Sequence, residues 1–290
     1  MTSLLKRPVV LIGGAVAALV VAGAIGLAVV TSRHEASPTP VAVSDSSGGI
    51  ETPAEAAAPF DFKSETPYAV VELKLPQSIK GQPDLHARLF SAGVRDLRQF
   101  SEGSQADRTE AGGDMGLGPY EKTIAFDTEV ETGKLFSLAR TDYEFTGGAH
   151  GLASYTGVLW DKALKTQITA AQLFRKGADL STLDTALCAA LNAEKKKRDP
   201  EAQALTLEAQ AGEIWSCPTA AGMPFVLAAS TAPGRAGGLT FLIGPYLVGS
   251  YAEGSYWVNL PQSAFRTLLD PAYADEFAGD PTPLPEVQGQ

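Results

Sequence analysis

Histidine, cysteine and positive charge are all scarce in this 290-residue chain, which has three His, two Cys, and 23 Lys and Arg against 33 Asp and Glu. A zinc site takes about three or four ligands at recognisable spacing. His34, His86 and His150 stand far apart in sequence, and no cysteine neighbours any of them, so no metal is expected. The cysteines are not in C-x-x-C spacing, which sets aside a dithiol redox motif. No G-x-S-x-G elbow or comparable nucleophile context accompanies a histidine, so the sequence offers no catalytic residues and no cofactor. The formal charge of −10 argues against nucleic acid and is permissive for a cationic partner. With 44% apolar and 19% charged residues, the chain can bury a sizeable core.

Charge is absent altogether from residues 8–32, "PVVLIGGAVAALVVAGAIGLAVVTS". As a helix, this run spans a bilayer core of about 30 Å. Lys6 and Arg7 flank it and place residues 1–7 in the cytoplasm by the positive-inside rule, sending the rest of the chain outside. The alternative is a signal peptide cleaved after "AGA" at Ala22–Ala24. The apolar run continues through "IGLAVV", however, and exceeds the roughly 7–15 residues of a signal h-region. We therefore expect an uncleaved single-pass anchor at 8–32 in the inner (cytoplasmic) membrane, with a periplasmic or otherwise extracytoplasmic C-terminal part. No cysteine follows the run, so lipid attachment at that point is excluded.

Aromatic residues are missing from 33–59, which is rich in Pro, Ser, Ala and Gly and reads as a flexible linker holding His34 in solvent. From Phe60 the pattern becomes that of a folded domain, expected over 60–275 in two subregions, about 60–175 and 176–275, with 276–290 as a disordered tail. "YAVVELKL" at 68–75 reads as a strand. Leu85, Leu89, Leu97 and Phe100 then recur at helical spacing, with His86 off that stripe and assigned to solvent. "EKTIAFDTEVE", "GKLFSLARTDYEFT" and "LASYTGVLWDK" form an antiparallel meander, the last two joined by "TGGAHG". Gly147, Gly148 and Gly151 are expected at positive φ there, a geometry that does not need His150.

After a short helix, Leu180, Leu183, Leu187 and Leu191 mark a longer one, which ends in the cations of "EKKKR" and is stopped by Pro200. In an oxidising compartment Cys188, on this helix, and Cys217 most economically form one disulfide. "MPFVLAAST" and "GGLTFLIGPYLVGSYAEGSYWVNLP" supply further strands, and a closing helix is expected from about Gln262. The fold class is α+β, an antiparallel sheet with packed helices.

"YEFTGGAHG" and "ITAAQLF", followed by "LTFLIGPYLVGSYAEGSYWVNLP", resemble the extracytoplasmic domain shared by RsiV-type anti-sigma factors and PdaC peptidoglycan deacetylases. The likeness covers about residues 65–270. It implies a lysozyme-recognising domain with a ligand surface at Tyr143, Thr146, Gly147, Gly148, His150, Tyr246 and Tyr251. Related domains often carry an acidic residue after the tyrosine of "GPYLV", where this chain has Leu247. Only "MTSLLKR" precedes the apolar run, so no sigma factor is expected, and no deacetylase domain accompanies the fold. The expectation is a membrane-anchored binding domain for a cell-envelope ligand, with a cationic lysozyme-like protein or peptidoglycan as candidates. A peptidoglycan-acting enzyme, an accessory of one, or a structural envelope protein are the alternatives.

Overall fold

The computed structural model describes residues 58–110, 118–209 and 211–284. The expected anchor at 8–32, His34, almost all of the linker, and residues 285–290 lie outside the described residues. Among the described residues no helix is long and apolar enough to cross a membrane. Strand β1 (Asp61–Glu65) pairs antiparallel with β2 (Ala69–Lys74), in which Ala69, Val71 and Leu73 are buried at the two-residue period of a half-buried strand. Helix α1 (Pro83–Glu110) begins at a proline, whose missing N–H costs nothing in a first turn, and buries Leu85, Leu89 and Leu97. Next come β3 (Tyr120–Glu131), β4 (Leu135–Phe145), β5 (Leu152–Asp161) and the short β6 (Thr166–Gln167), completing a six-stranded sheet in chain order.

That sheet corrects the all-antiparallel expectation, because β2 and β3 are parallel. A single helix, α1, links them, and one crossover helix returns the chain in the direction it left. The remaining pairings are antiparallel. Beyond β6 lie α2 (Ala170–Leu173), α3 (Ser181–Arg198) and an antiparallel sheet of β7 (Phe225–Ala229), β8 (Ala236–Ile243) and β9 (Tyr256–Pro261).

Residue parity along β4 and β5 separates two cores. Phe136, Leu138, Val158 and Trp160 pack with the α1 residues, whereas Leu135, Ala139 and Leu159 pack with the side of the second sheet. On its far side that sheet meets Leu183, Leu187 and Leu191 of α3, so all eight residues of β8 are buried. The layers approach so closely that a Cβ on Gly157 would sit 1.8 Å from the Phe225 carbonyl oxygen. Cys188 and Cys217 are joined, with Cα atoms 5.2 Å apart.

Three local expectations are corrected. His86 is buried, at 3% exposure: its Nε2–H donates to the Pro59 carbonyl at 2.9 Å and its ring lies 4.6 Å from that of Phe60, because the chain entering β1 folds back over the helix. From Gln262 there is no continuous helix but two 3-10 turns, Gln262–Ala264 and Arg266–Leu268. Between them Phe265 (φ −140°) is fully buried edge-on to Phe174 and Phe277, and seating that ring interrupts the helical ladder. Residues 276–284 are not a loose tail. Phe277 is 1% exposed, Ser230 bridges to Pro281, and buried Glu276 accepts from Thr132 Oγ1 at 2.5 Å and from the Lys134 amide at 2.7 Å.

β3 carries a bulge between Thr128 and Val130, which leaves Glu129 outside the pairing register, its carboxyl without a hydrogen-bond partner among the described residues. Burial, reinforced by the charge of Asp127, pushes its carboxyl up to about 7. The folded chain therefore holds a proton that the unfolded chain has released, and the contribution of Glu129 to stability is fully present below the ordinary carboxylate range and is lost as pH rises through about 7. Glu129→Gln should remove that decline and stabilise the protein at neutral pH, as read by urea unfolding across the range.

Candidate functional site

The two segments of the sequence resemblance, residues 146–151 and 244–254, meet at one end of the molecule. The first closes the β4–β5 hairpin. Gly147 and Gly148 both have φ of +96°, a conformation that a β-branched side chain resists. Gly151, expected to share that conformation, does not have positive φ. Its need is space, since a Cβ there would lie 2.4 Å from the Tyr143 ring and hydroxyl.

His150 is exposed on this turn and is held from three directions. Its ring stacks on Tyr251 at 3.6 Å between centroids and 13° between planes. A carbonyl can only accept, so Nδ1–H donates to Gly151 O at 3.0 Å; this leaves Nε2 of the neutral ring to accept from the Tyr246 hydroxyl at 3.3 Å. The Tyr251 hydroxyl donates to the same Gly151 carbonyl at 3.0 Å. The histidine thus bolts the hairpin to the 244–254 loop. Of the residues predicted for the surface, Tyr143, His150, Tyr246 and Tyr251 are brought together around Gly151, and Thr146 and Gly147 line an adjoining open depression of about 360 Å³ with Asp142 and Glu144. Gly148 lies on the same turn.

Tyr246 is held at φ 65°, in the left-handed region, and its side chain is 51% exposed. Leu247 and Leu152, at 50% and 46% exposure, stand beside it in the fold's two facing segments. Neither leucine was singled out from sequence as part of a ligand surface, because nothing in a strand or turn pattern marks an apolar residue as outward.

The loop is anchored from below by the C-terminal turn of α3. Lys195, only 6% exposed, donates to Val248 O at 2.8 Å and to Glu253 Oε2 at 2.5 Å. Glu253 also accepts from the Tyr256 hydroxyl at 2.9 Å and from the Ser250 amide at 3.0 Å, the latter as half of a capping box. Burial alone would raise the Glu253 carboxyl, but the bonds from Lys195, Tyr256 and Ser250 outweigh it and hold the group below its usual range. Burial, together with Glu253, pushes the Tyr256 phenol up to about 12. Arg198 donates to the carbonyls of Glu253 and Ser255 at 2.8 and 2.7 Å and lies 4.0 Å over the Tyr256 ring. The basic run at 195–198 thus holds the loop as well as ending a helix; the S-x-x-E spacing of Ser250 and Glu253 was the signal for it.

A second charge network, in which Lys122 and Arg140 bind Asp96, Glu144 and Asp142, ties α1 to the strands leading into the hairpin. Among the described residues no group of three or more His, Cys, Asp or Glu is placed to hold a metal ion.

This arrangement defines an α+β domain, one end of which is built from a β-hairpin and a braced irregular loop. No protein-family model and no curated protein matches the chain. Among solved structures, its fold is similar to that of a DUF3298 family member from Bacteroides fragilis NCTC 9343, at a TM-score of 0.52 and 17% identity over 74% of this chain and 95% of that one. A DUF3298 family protein from Pseudomonas aeruginosa PAO1 is matched at a TM-score of 0.45 and 17% identity, over 76% of this chain and 94% of that one. DUF3298 is the domain found in RsiV- and PdaC-type proteins, and at this identity the likeness is one of fold.

His150→Ala removes two hydrogen bonds and a stacked ring, and should lower stability by about 1–2 kcal/mol. Gly151→Ala must displace Tyr143 and should cost at least as much. Thermal unfolding of both variants checks this, and an unchanged melting temperature in His150→Ala would show that the bolt is idle.

Proposed function

We propose that the chain is a membrane-anchored extracytoplasmic recognition domain whose 146–152 and 244–254 face binds a cell-envelope ligand, a cationic lysozyme-like protein foremost. The observation that carries this reading is Tyr246. A tyrosine in the left-handed region costs about 1–2 kcal/mol, yet here its ring is half exposed, beside two half-exposed leucines, on a frame bolted by His150. An exposed aromatic and aliphatic patch on a rigid support is the anatomy of an interface hot spot. Asp142 and Glu144 at its edge and the formal charge of −10 suit a basic partner, steering encounter more than fixing affinity. The resemblance to the lysozyme-recognising domain points the same way.

The domain is read as non-catalytic. Both nitrogens of His150 are engaged and its ring is covered by Tyr251, which suits a support better than a general base.

Tyr246→Gly relieves the backbone while deleting the side chain. It should leave the melting temperature unchanged or higher and weaken binding of the full chain to a c-type lysozyme by about tenfold or more, as measured by calorimetry. Co-sedimentation with isolated peptidoglycan run in parallel distinguishes the candidates: sacculus binding lost in Tyr246→Gly would make the wall polymer the ligand. If neither probe binds wild type, the recognition reading fails.

The topology has its own test. An alkaline phosphatase fused after Gln290 should be active in cells, because that enzyme matures only outside the cytoplasm. Activity confined to a cytoplasmic reporter would overturn the localisation.

A further inference from the structure

Across the 244–256 loop from His150 lies a separate groove of about 690 Å³, within the usual range for ligand sites. Val248, Ala252 and Tyr256 form one wall, and Leu205, Ile214 and Trp215 the other. The second wall is braced from outside. The Cys188–Cys217 disulfide pins one end to α3, Asn192 exchanges two hydrogen bonds with the Leu205 backbone at 2.9 and 2.8 Å, and the Cys217 amide donates to Thr206 O at 2.7 Å. On this tethered segment Ile214 is 83% exposed, beside half-buried Trp215.

The charges around the groove are unevenly committed. Lys195 is paired with Glu253 and bonds Val248 O, while Arg198, exposed at the groove, bonds two carbonyls and covers the Tyr256 ring without losing its charge. Glu253 is consumed in turn. Asp199, by contrast, gives one oxygen to the Glu201 amide, and the Glu201 carboxylate has no partner among the described residues. Asp199, Glu201, Glu213 and Glu253 outnumber Lys195 and Arg198 in the lining, and an apolar and aromatic channel with net negative charge complements a group that has an aliphatic stem and a cationic head. We propose that this groove binds a basic segment of polypeptide, an Arg or Lys side chain lying along Ile214 and Trp215 with its charge toward Asp199 and Glu201. The site is distinct from the His150 face and its chemistry stands whatever that face binds.

The test uses the full chain and a fluorescein-labelled capped peptide of alternating Leu and Arg, read by anisotropy, with the Leu–Glu peptide and chitotetraose as comparisons. The Leu–Arg peptide should bind, with affinity falling as salt is raised, and the Leu–Glu peptide should not. Glu201→Lys and Ile214→Ser, both at exposed positions, should each weaken binding about tenfold. Leu164→Ser, on an exposed turn elsewhere, should change nothing. Equal binding of the two peptides, no binding of either, or binding indifferent to both groove variants would overturn the assignment. Chitotetraose binding lost in Ile214→Ser would make the groove a saccharide site and overturn it as well. Lysozyme binding measured on the same variants keeps the two sites apart: if wild type does not bind lysozyme but binds the peptide, only the reading of the His150 face fails.

Discussion

A buried ammonium group governs this end of the molecule. Lys195 sits at 6% exposure, where an unneutralised charge costs several kcal/mol, and its one counter-charge is Glu253 on a segment with no regular strand or long helix. Satisfying the lysine therefore fixes the loop, and the loop fixes Tyr246 and Tyr251. Those tyrosines hold His150, and His150 holds the hairpin. The same lysine and its neighbour Arg198 form the back of the groove, so the two proposed surfaces share one brace. A surface loop of this length would otherwise depend on its own turns, which offer few apolar contacts.

The −10 formal charge carries over to the folded protein. Lys122, Arg140 and Lys195 are turned inward and paired with carboxylates, whereas Arg198 is exposed and bonds carbonyls and a ring. Each such pair takes a charge of either sign out of the surrounding field, so the net excess of carboxylates persists, which favours encounter with basic partners and disfavours anionic polymers.

Local pattern made most of the elements legible. The two-residue period of AVVELK, the leucine spacing in α1 and α3, and the glycines of the hairpin each report a physical need met within a few residues. The missing parts were long-range. Nothing in the periodicity of β2 or β3 says that α1 returns the chain parallel, and His86 is buried only because Pro59 and Phe60 fold over it. The run after Gln262 has helical spacing, but seating Phe265 between Phe174 and Phe277 takes precedence over a continuous helix. At the site, the two motifs were visible through resemblance, whereas the contact between His150 and Tyr246, 96 residues apart, and the anchoring of Glu253 by Lys195 were not. Gly151 was recognised as needed for the wrong reason, since a pattern records that a side chain is absent and not whether φ or space requires it.

Glu276 closes the turn between β3 and β4 from 144 residues downstream, by way of Thr132, and Phe277 and Pro281 add bridges to the second sheet. This gives assembly an order in time. The meander can pair as soon as it is made, but its β3–β4 turn lacks the carboxylate that receives the Thr132 hydroxyl and the Lys134 amide until Glu276, 144 residues beyond Thr132, has been synthesised. The 276–281 segment acts as a latch on the first sheet, and a chain cut short before it would leave that sheet paired yet unlocked, with the slot of Phe277 open to whatever apolar segment arrives first.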